Sequence, residues 1–185
     1  MTSPTSNSPV PYVLCTGVES TGKTTLVEAL ATRWKVPAVR EAARFHPDVM
    51  AHRVQLETLH ELVHLQNQAI QEAQETAHRL NARFCWVDTG VETLALWAEH
   101  AFGACLWPAP QHPPGLLGCL VCAPVLPWEP DPLRTLPHPA DRWSLHTHYL
   151  QSVRSLNVPT YILSETLLTQ RVEASSSWLH TLTGW

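Results

Sequence analysis

Residues 17–24, Gly-Val-Glu-Ser-Thr-Gly-Lys-Thr, have the spacing of a phosphate-binding loop, GxxxxGK[ST]. Phosphate oxygens need several hydrogen-bond donors at short range. Glycines let the backbone curl so that successive N–H groups point inward, and the N-terminus of the following helix adds partial positive charge. We therefore expect a nucleotide to bind here, with Lys23 at its β and γ oxygens and Thr24 on Mg²⁺. The expected nucleotide-binding residues are Gly17, Glu19, Ser20, Thr21, Gly22, Lys23, Thr24 and Thr25.

Asp88 ends an apolar run, Phe-Cys-Trp-Val-Asp-Thr, at residues 84–89. A strand beside a phosphate loop can deliver a carboxylate to the metal ion of a bound nucleotide. We therefore expect Asp88 to share the metal with Thr24. The alternative is a structural role, because many strands end in an Asp that caps the next helix.

Glu41 and Arg44 follow the second apolar run in the sequence Val-Arg-Glu-Ala-Ala-Arg. Ligands of doubly wound sheets lie beyond the carboxyl ends of the strands, which predicts that Glu41 faces the acceptor side of a cleft. A carboxylate there can accept the proton of an attacking hydroxyl, and Arg44 can bind an acceptor anion or the transferred phosphoryl group. A surface ion pair is the alternative.

A proline-rich stretch precedes a predicted helix over 140–156, since ten of the 16 prolines fall within 108–139. Proline excludes regular helix there, and long loops in compact domains often form lids. We predict a lid over about 126–142, with Arg134 and Arg142 as catalytic residues that offset charge at the γ-phosphate. Exposed arginines on a solvated loop are the alternative.

Two tryptophans and one aspartate complete the expected site. Trp128 and Asp131 lie in the predicted lid, where we expect them to bind substrate. Trp128 and Trp97 both have planar rings that could stack on a base. For Trp97 packing in the core is the favoured interpretation.

The elements that must position these residues alternate regularly along the chain. Continuous apolar runs separated by helical sequence indicate a parallel sheet covered on both faces. We predict an α/β, three-layer P-loop NTPase/kinase fold with a five-stranded parallel sheet and a lid segment. Polar residues 1–11 are predicted to be a disordered tail, and 12–185 a single P-loop kinase domain. The predicted strands lie within 12–17, 37–41, 83–89, 117–124 and 160–164, and the helices at 23–34, within 54–81, 91–102 and 140–156.

Composition excludes several classes of protein. The 12 Lys and Arg residues against 16 Asp and Glu residues give a net charge of −4, so we expect no nucleic-acid and no membrane partner. Five cysteines without a charged leader predict reduced thiols and a cytoplasmic protein. Cys119 and Cys122 have metal-type spacing, but positions i and i+3 of a strand face opposite sides, which argues against zinc.

With these motifs in order, residues 12–165 resemble the NadR-type ribosylnicotinamide kinase family, a small-molecule-kinase branch of the P-loop ATPases. The resemblance is carried by GVESTGKTTL, REAAR, VDTGVET and WEPDPLR. It implies an ATP- and Mg²⁺-dependent kinase that phosphorylates a hydroxyl of a small nucleoside-like metabolite, with nicotinamide riboside as the first candidate. Thr89 in the third motif would then bind substrate, and Glu41 or Asp88 would accept the hydroxyl proton.

The chain departs from the family pattern at two positions: Gly90 replaces an Asp, and Pro132 replaces a Gly of the lid. At this length we expect only the kinase half of the bifunctional family members. Two alternatives stay open, another nucleoside or nucleotide kinase and a P-loop ATPase that acts as a switch or partner-binding protein. The patterns also leave a homodimer open.

Overall fold

A parallel sheet of five strands in the order β2-β3-β1-β4-β5 forms the centre of the computed structural model, which describes residues 8–185. The predicted α/β fold with a five-stranded parallel sheet is confirmed. Residues 1–7 of the predicted tail lie outside the described residues. The strands are β1 (Tyr12–Thr16), β2 (Ala38–Val39), β3 (Cys85–Asp88), β4 (Leu116–Cys122) and β5 (Thr160–Leu163).

Within residues 8–185, six helices connect and cover the strands. The helices are α1 (Lys23–Trp34), α2 (Pro47–Met50), α3 (Leu56–Arg79), α4 (Val91–Phe102), α5 (Pro139–Ser155) and α6 (Leu168–Thr183). Four of them lie within a few residues of the predicted ranges, because their apolar positions follow the helical period. The short α2 and the C-terminal α6 are not located by the sequence patterns. No helix among residues 8–185 is long and apolar enough to cross a membrane.

The two faces of the sheet are separate apolar cores, as the alternation of side chains along a strand requires. Val13 and Cys15 of β1 pack with α1 and α6, whereas Tyr12 and Leu14 pack with α3 and α5. The predicted three layers are therefore present. Cys119 belongs to one core and Cys122 to the other, so the strand separates the two thiols as expected.

The second strand is shorter than predicted. It consists of Ala38 and Val39 alone, and a 3₁₀ turn over Ala42–Phe45 follows. Glu41 is the residue that caps this turn in an extended conformation. Because the chain leaves the sheet at this point, Glu41 and Arg44 lie beyond the carboxyl edge, where parallel strands place ligands.

Gly90, which precedes α4, has no room for a side chain. Its φ of −107° suits any residue, but an added Cβ would collide with the Glu92 carboxylate and lie 2.8 Å from the ring of His112. Nε2 of His112 lies 3.1 Å from the Glu92 carboxylate, and both side chains are at most 9% exposed. Burial raises the pKa of Glu92, and the hydrogen bond and charge of His112 outweigh it, so the pKa lies below its usual value.

We expect Gly90→Ala to destabilise the fold by about 1–3 kcal/mol, the usual cost of overpacking a filled site. Chemical denaturation of Gly90→Ala, Glu92→Ala and the double variant measures this. Since Glu92 fills the space, Gly90→Ala should cost less than half as much in the Glu92→Ala background. Strictly additive free energies of unfolding would contradict this explanation of Gly90.

Candidate active site

One cavity at the carboxyl edge of the sheet brings most of the predicted site residues together. All eight residues predicted to bind nucleotide line it, and so do Glu41, Arg44, Thr89 and Arg134. Asp88, Trp128, Asp131 and Arg142 are not among its lining residues. The cavity wall is completed by Ala43, Val49, Thr93, Trp97, Leu133, Leu145 and Tyr149.

The conformation of the phosphate-binding loop depends on its two glycines. Gly17 has φ +132°, and a Cβ there would lie 2.6 Å from the Cys122 carbonyl oxygen. Gly22 has φ +70° and directly precedes the first turn of α1. Glycine adopts these left-handed conformations without steric cost. The loop can therefore leave β1, pass close to β4 and turn into the helix within six residues.

Three cations hold carbonyl groups of this loop by hydrogen bonds. In each bond a nitrogen of the cation donates at 2.8–3.0 Å to a main-chain oxygen. In a planar trans peptide the C=O and N–H groups point in opposite directions. Each bonded carbonyl therefore directs the next residue's N–H to the other side of the loop. The pairs are Lys23 with Val18, Arg142 with Ser20, and Arg171 with Thr21.

Arg142 has a different environment from the one predicted for a catalytic arginine. Arg142 is only 2% exposed. Its guanidinium donates to the carbonyl oxygens of Leu126 and Ser20, both at 3.0 Å. Burial lowers its pKa from the usual value. Arg142 thus joins the lid segment (residues 126–142) to the phosphate-binding loop and does not face the cavity.

Thr24 and Asp88 meet as the sequence predicts. The Thr24 hydroxyl donates to Asp88 Oδ2 at 2.6 Å, and Asp88 is 1% exposed. The neighbouring Thr89 also contacts the carboxylate, at 3.3 Å from Oδ1. A hydroxyl beside a carboxylate is the oxygen donor set that Mg²⁺ uses when phosphates and water supply its other ligands. The two side chains therefore fit a magnesium–nucleotide complex.

Glu41 and Arg44 form the wall of the cavity that follows β2 and connect it to the lid segment. Arg44 Nε lies 3.5 Å from Glu41 Oε2, and Arg44 Nη1 lies 3.1 Å from Asp131 Oδ2. Asp131 thus holds Arg44, whereas the sequence predicts a direct contact with substrate. Burial raises the pKa of Glu41, against the lowering effect of the nearby Lys23 charge. A carboxylate with a raised pKa is a stronger proton acceptor than an exposed one.

Glu19 fastens the lid segment to the phosphate-binding loop. Its carboxylate accepts three hydrogen bonds, from Trp128 Nε1 at 3.0 Å and from the amides of Thr135 at 3.0 Å and Leu136 at 2.7 Å. Ser20 adds two more contacts, because its hydroxyl accepts from the Glu129 amide at 2.9 Å and lies 3.3 Å from Arg134 Nη1. The lid segment is therefore closed on the loop in this structure.

Trp97 packs against the core as the sequence favours, but it also lines the cavity, whereas Trp128 does not. Trp128, predicted to bind substrate, is bonded to Glu19 through its ring N–H and does not line the cavity. Trp97 does line the cavity while its ring also packs against the core around α3 and α4. Core packing and exposure to a ligand are therefore combined in one residue.

Sequence reasoning missed Thr93 and Tyr149 of the cavity and Arg171 behind the loop. Tyr149 follows the lid segment on α5, and Arg171 lies on α6. No local motif marks any of the three. Arg171 lies in the first turn of α6, and its residue type and position do not reveal that it is buried.

Comparison with known proteins gives one family match and several structural matches. The model of a family described as an AAA domain matches residues 12–171. No curated protein sequence matches the chain. The NadR protein in complex with NR superposes with a TM-score of 0.69 and 19% identity, over 95% of this chain and 50% of NadR. The chain thus spans about half the length of NadR.

Two smaller proteins match over nearly their whole length. Deoxyadenosine kinase from M. mycoides with bound dATP has a TM-score of 0.60 and 8% identity, over 91% of this chain and 99% of that one. Thymidylate kinase from Ehrlichia chaffeensis has a TM-score of 0.61 and 11% identity, over 91% and 98%. At these identities the likeness establishes a P-loop kinase fold.

We expect Glu19→Ala to release the lid segment. A hydrogen bond to a charged group contributes about 1.5–3 kcal/mol, so exchange of the Thr135 and Leu136 amides with deuterium should accelerate about tenfold or more. Glu129→Ala is the matched control, since it removes an exposed carboxylate of the same segment. Equal exchange rates in the wild type and Glu19→Ala would show that Glu19 does not hold the lid.

Proposed function

Because this chain belongs to the AAA domain family, whose model spans most of it, we propose that it is an ATP- and Mg²⁺-dependent kinase of small nucleoside-like metabolites. The observation that carries the proposal is one cavity with Lys23 and the phosphate-binding loop on one side and Glu41 on the other. Transfer of a phosphoryl group needs this arrangement of donor site and proton acceptor. The proposal treats 12–185 as one domain with the lid segment included.

The phosphoryl donor would lie along the phosphate-binding loop, with its γ-phosphate beside Lys23. In the structure Lys23 Nζ donates to the Val18 carbonyl oxygen at 2.9 Å. A flexible ammonium can exchange that neutral acceptor for a charged phosphate oxygen. Arg134, which reaches the loop from the lid segment, would offset negative charge as the phosphoryl group transfers.

The nucleotide base would occupy a second cavity that adjoins the first at Ser20, Gly22, Thr25 and Arg134. Its other walls are partly apolar, which suits a stacked ring. They are formed by Leu126, Pro127, Glu129, Thr166, Leu168 and Arg171.

Mg²⁺ would be held by Thr24 and Asp88. Thr24 Oγ1 and Asp88 Oδ2 lie 2.6 Å apart. The ion supplies positive charge to the β and γ oxygens of the nucleotide. Asp88 is therefore committed to Thr24 and the metal side. Glu41 is left as the carboxylate that faces the acceptor.

The acceptor would bind between Glu41 and the aromatic residues Trp97 and Tyr149. Aromatic faces bind planar rings, and cationic rings most strongly, by stacking and cation–π attraction. Thr89 and Thr93 add hydroxyl groups along the same wall. These features support a nucleoside whose sugar hydroxyl meets Glu41, and nicotinamide riboside, with its cationic ring, remains the first candidate.

Glu41 would accept the proton of the attacking hydroxyl. Arg44 lies at ion-pair distance from Glu41, 3.5 Å between Nε and Oε2, and Asp131 keeps Arg44 in place. Lys23, Arg134 and the loop amides would hold the transferring group in line with that hydroxyl. Closure of the lid segment excludes water, which otherwise competes with the acceptor.

The test is formation of ADP from Mg–ATP with and without a panel of hydroxyl compounds, nicotinamide riboside and the common nucleosides among them. We expect turnover that depends on one nucleoside-like compound and a phosphorylated product of matching mass. Lys23→Met should abolish turnover, and Lys35→Met, at the only other lysine of the chain, should retain it. Slow ADP formation that no acceptor increases would instead identify an ATPase that acts as a switch.

We expect Glu41→Gln to lower kcat by about 10²–10⁴-fold, the usual contribution of a general base. Because burial raises the pKa of Glu41, activity of the wild type should fall on acidification at a pH above the ordinary range of a glutamate. The base must be deprotonated, so activity is lost as the pH decreases through that pKa. Glu28→Gln, at an exposed glutamate of α1, is the control. A Glu41→Gln profile with wild-type kcat would exclude the role.

A further inference from the structure

Arg171 is a buried cation to which the proposed mechanism gives only a place in the wall of the second cavity. It comes from the first turn of α6 and is 2% exposed. Its Nη2 donates to the Thr21 carbonyl oxygen at 2.8 Å and lies 3.1 Å from Cys122 Sγ. Its Nε and Nη1 are buried without a hydrogen-bond partner among residues 8–185.

No carboxylate of residues 8–185 lies within 4.0 Å of this guanidinium. An arginine stays charged in proteins, and a buried charge without a counter-ion is costly. Burial among neutral groups alone would therefore disfavour arginine at this position. The cost suggests that the missing negative charge is supplied by a ligand.

The position of Arg171 shows which ligand group is close. Its guanidinium lies next to Gly22, since the carbon Cζ and Nη1 are both 3.9 Å from the place of a Cβ on that glycine. Arg171 also lines the second cavity together with Gly22 and Thr25. Both residues belong to the turn at which the phosphate-binding loop enters α1, where anions bind.

The bond to Thr21 acts on the peptide group that Thr21 and Gly22 share. Its carbonyl faces Arg171, so its N–H, which belongs to Gly22, points the opposite way. A hydrogen bond at one end of a peptide polarises the group and strengthens the donor at the other end. Arg171 can thus increase the affinity of the Gly22 N–H for a phosphate oxygen without touching it.

We propose that Arg171 is a positioning residue for the polyphosphate of the bound nucleotide. It increases the affinity of the loop for the polyphosphate by orienting and polarising the Thr21–Gly22 peptide. It also adds an unpaired positive charge behind the loop. This inference rests on the nucleotide binding in the proposed function. It assigns α6 a part in that binding and leaves the acceptor side untouched.

The experiment measures dissociation constants of ATP, ADP and AMP by calorimetry for the wild type, Arg171→Met and Arg171→Lys. A hydrogen bond from a charged donor contributes about 1.5–3 kcal/mol, so we expect Arg171→Met to weaken ATP and ADP about tenfold or more. AMP, with one phosphate, should weaken less. Arg171→Lys should recover part of the affinity, and the KM of the acceptor should stay constant in the kinase assay.

Arg33→Met is the matched control. Arg33 of α1 makes an exposed pair with Glu173 of α6 at 2.8 Å, so this variant removes an arginine contact to α6 but leaves the loop unchanged. A purely structural Arg171 would lower the melting temperature without a change of affinity that depends on the number of phosphates. If Arg171→Met does not fold, Arg171→Gln, which keeps a donor for Thr21, replaces it with the same expected direction.

Two results overturn the inference. One is a dissociation constant of ADP for Arg171→Met, or for Arg171→Gln in its place, within twofold of the wild-type value. The other is an equal loss of affinity for AMP, ADP and ATP. Either result leaves the proposed function intact, because the wild type would still bind nucleotide. If the wild type binds neither ATP nor ADP, both the inference and the proposed function are wrong.

Discussion

The architecture of this site depends on hydrogen bonds to the outer carbonyl groups of one short loop. A loop can offer its N–H groups to phosphate only while its carbonyls are satisfied elsewhere. Here Arg142 and Arg171 satisfy the carbonyls of Ser20 and Thr21, and the Thr21 hydroxyl donates to the carbonyl of Val18 at 2.8 Å. The two arginines come from α5 and α6, so the conformation of the loop requires correct packing of helices that are far from it in the sequence.

The same loop also sets the position of the lid segment. Glu19 and Ser20 bond to it directly, and Arg44 bonds to Asp131 from the acceptor side. A carboxylate in a phosphate-binding loop would repel a nucleotide if it were free. Because three N–H donors of the lid segment surround Glu19, closure of the segment replaces water as the hydrogen-bond partner of this carboxylate.

Features that depend on contiguous residues could be predicted from the sequence, and features that depend on packing between helices could not. The loop over 17–24, the strand that ends at Asp88 and its contact with Thr24 follow from a motif and from the pairing of neighbouring strands. Arg142 was expected at the phosphates and instead supports the loop. Its type and lid position could not reveal that α5 turns its guanidinium toward main-chain carbonyls.

The crowding at Gly90 limits which residues this position can accept. The space beside Gly90 is filled by Glu92 of α4 and by His112 of the proline-rich loop before β4. An aspartate could not be introduced at this position by a single substitution, because two other side chains would have to shrink or move first. Related chains with a larger residue here should therefore also differ at the positions of Glu92 and His112, so that the three residues change together.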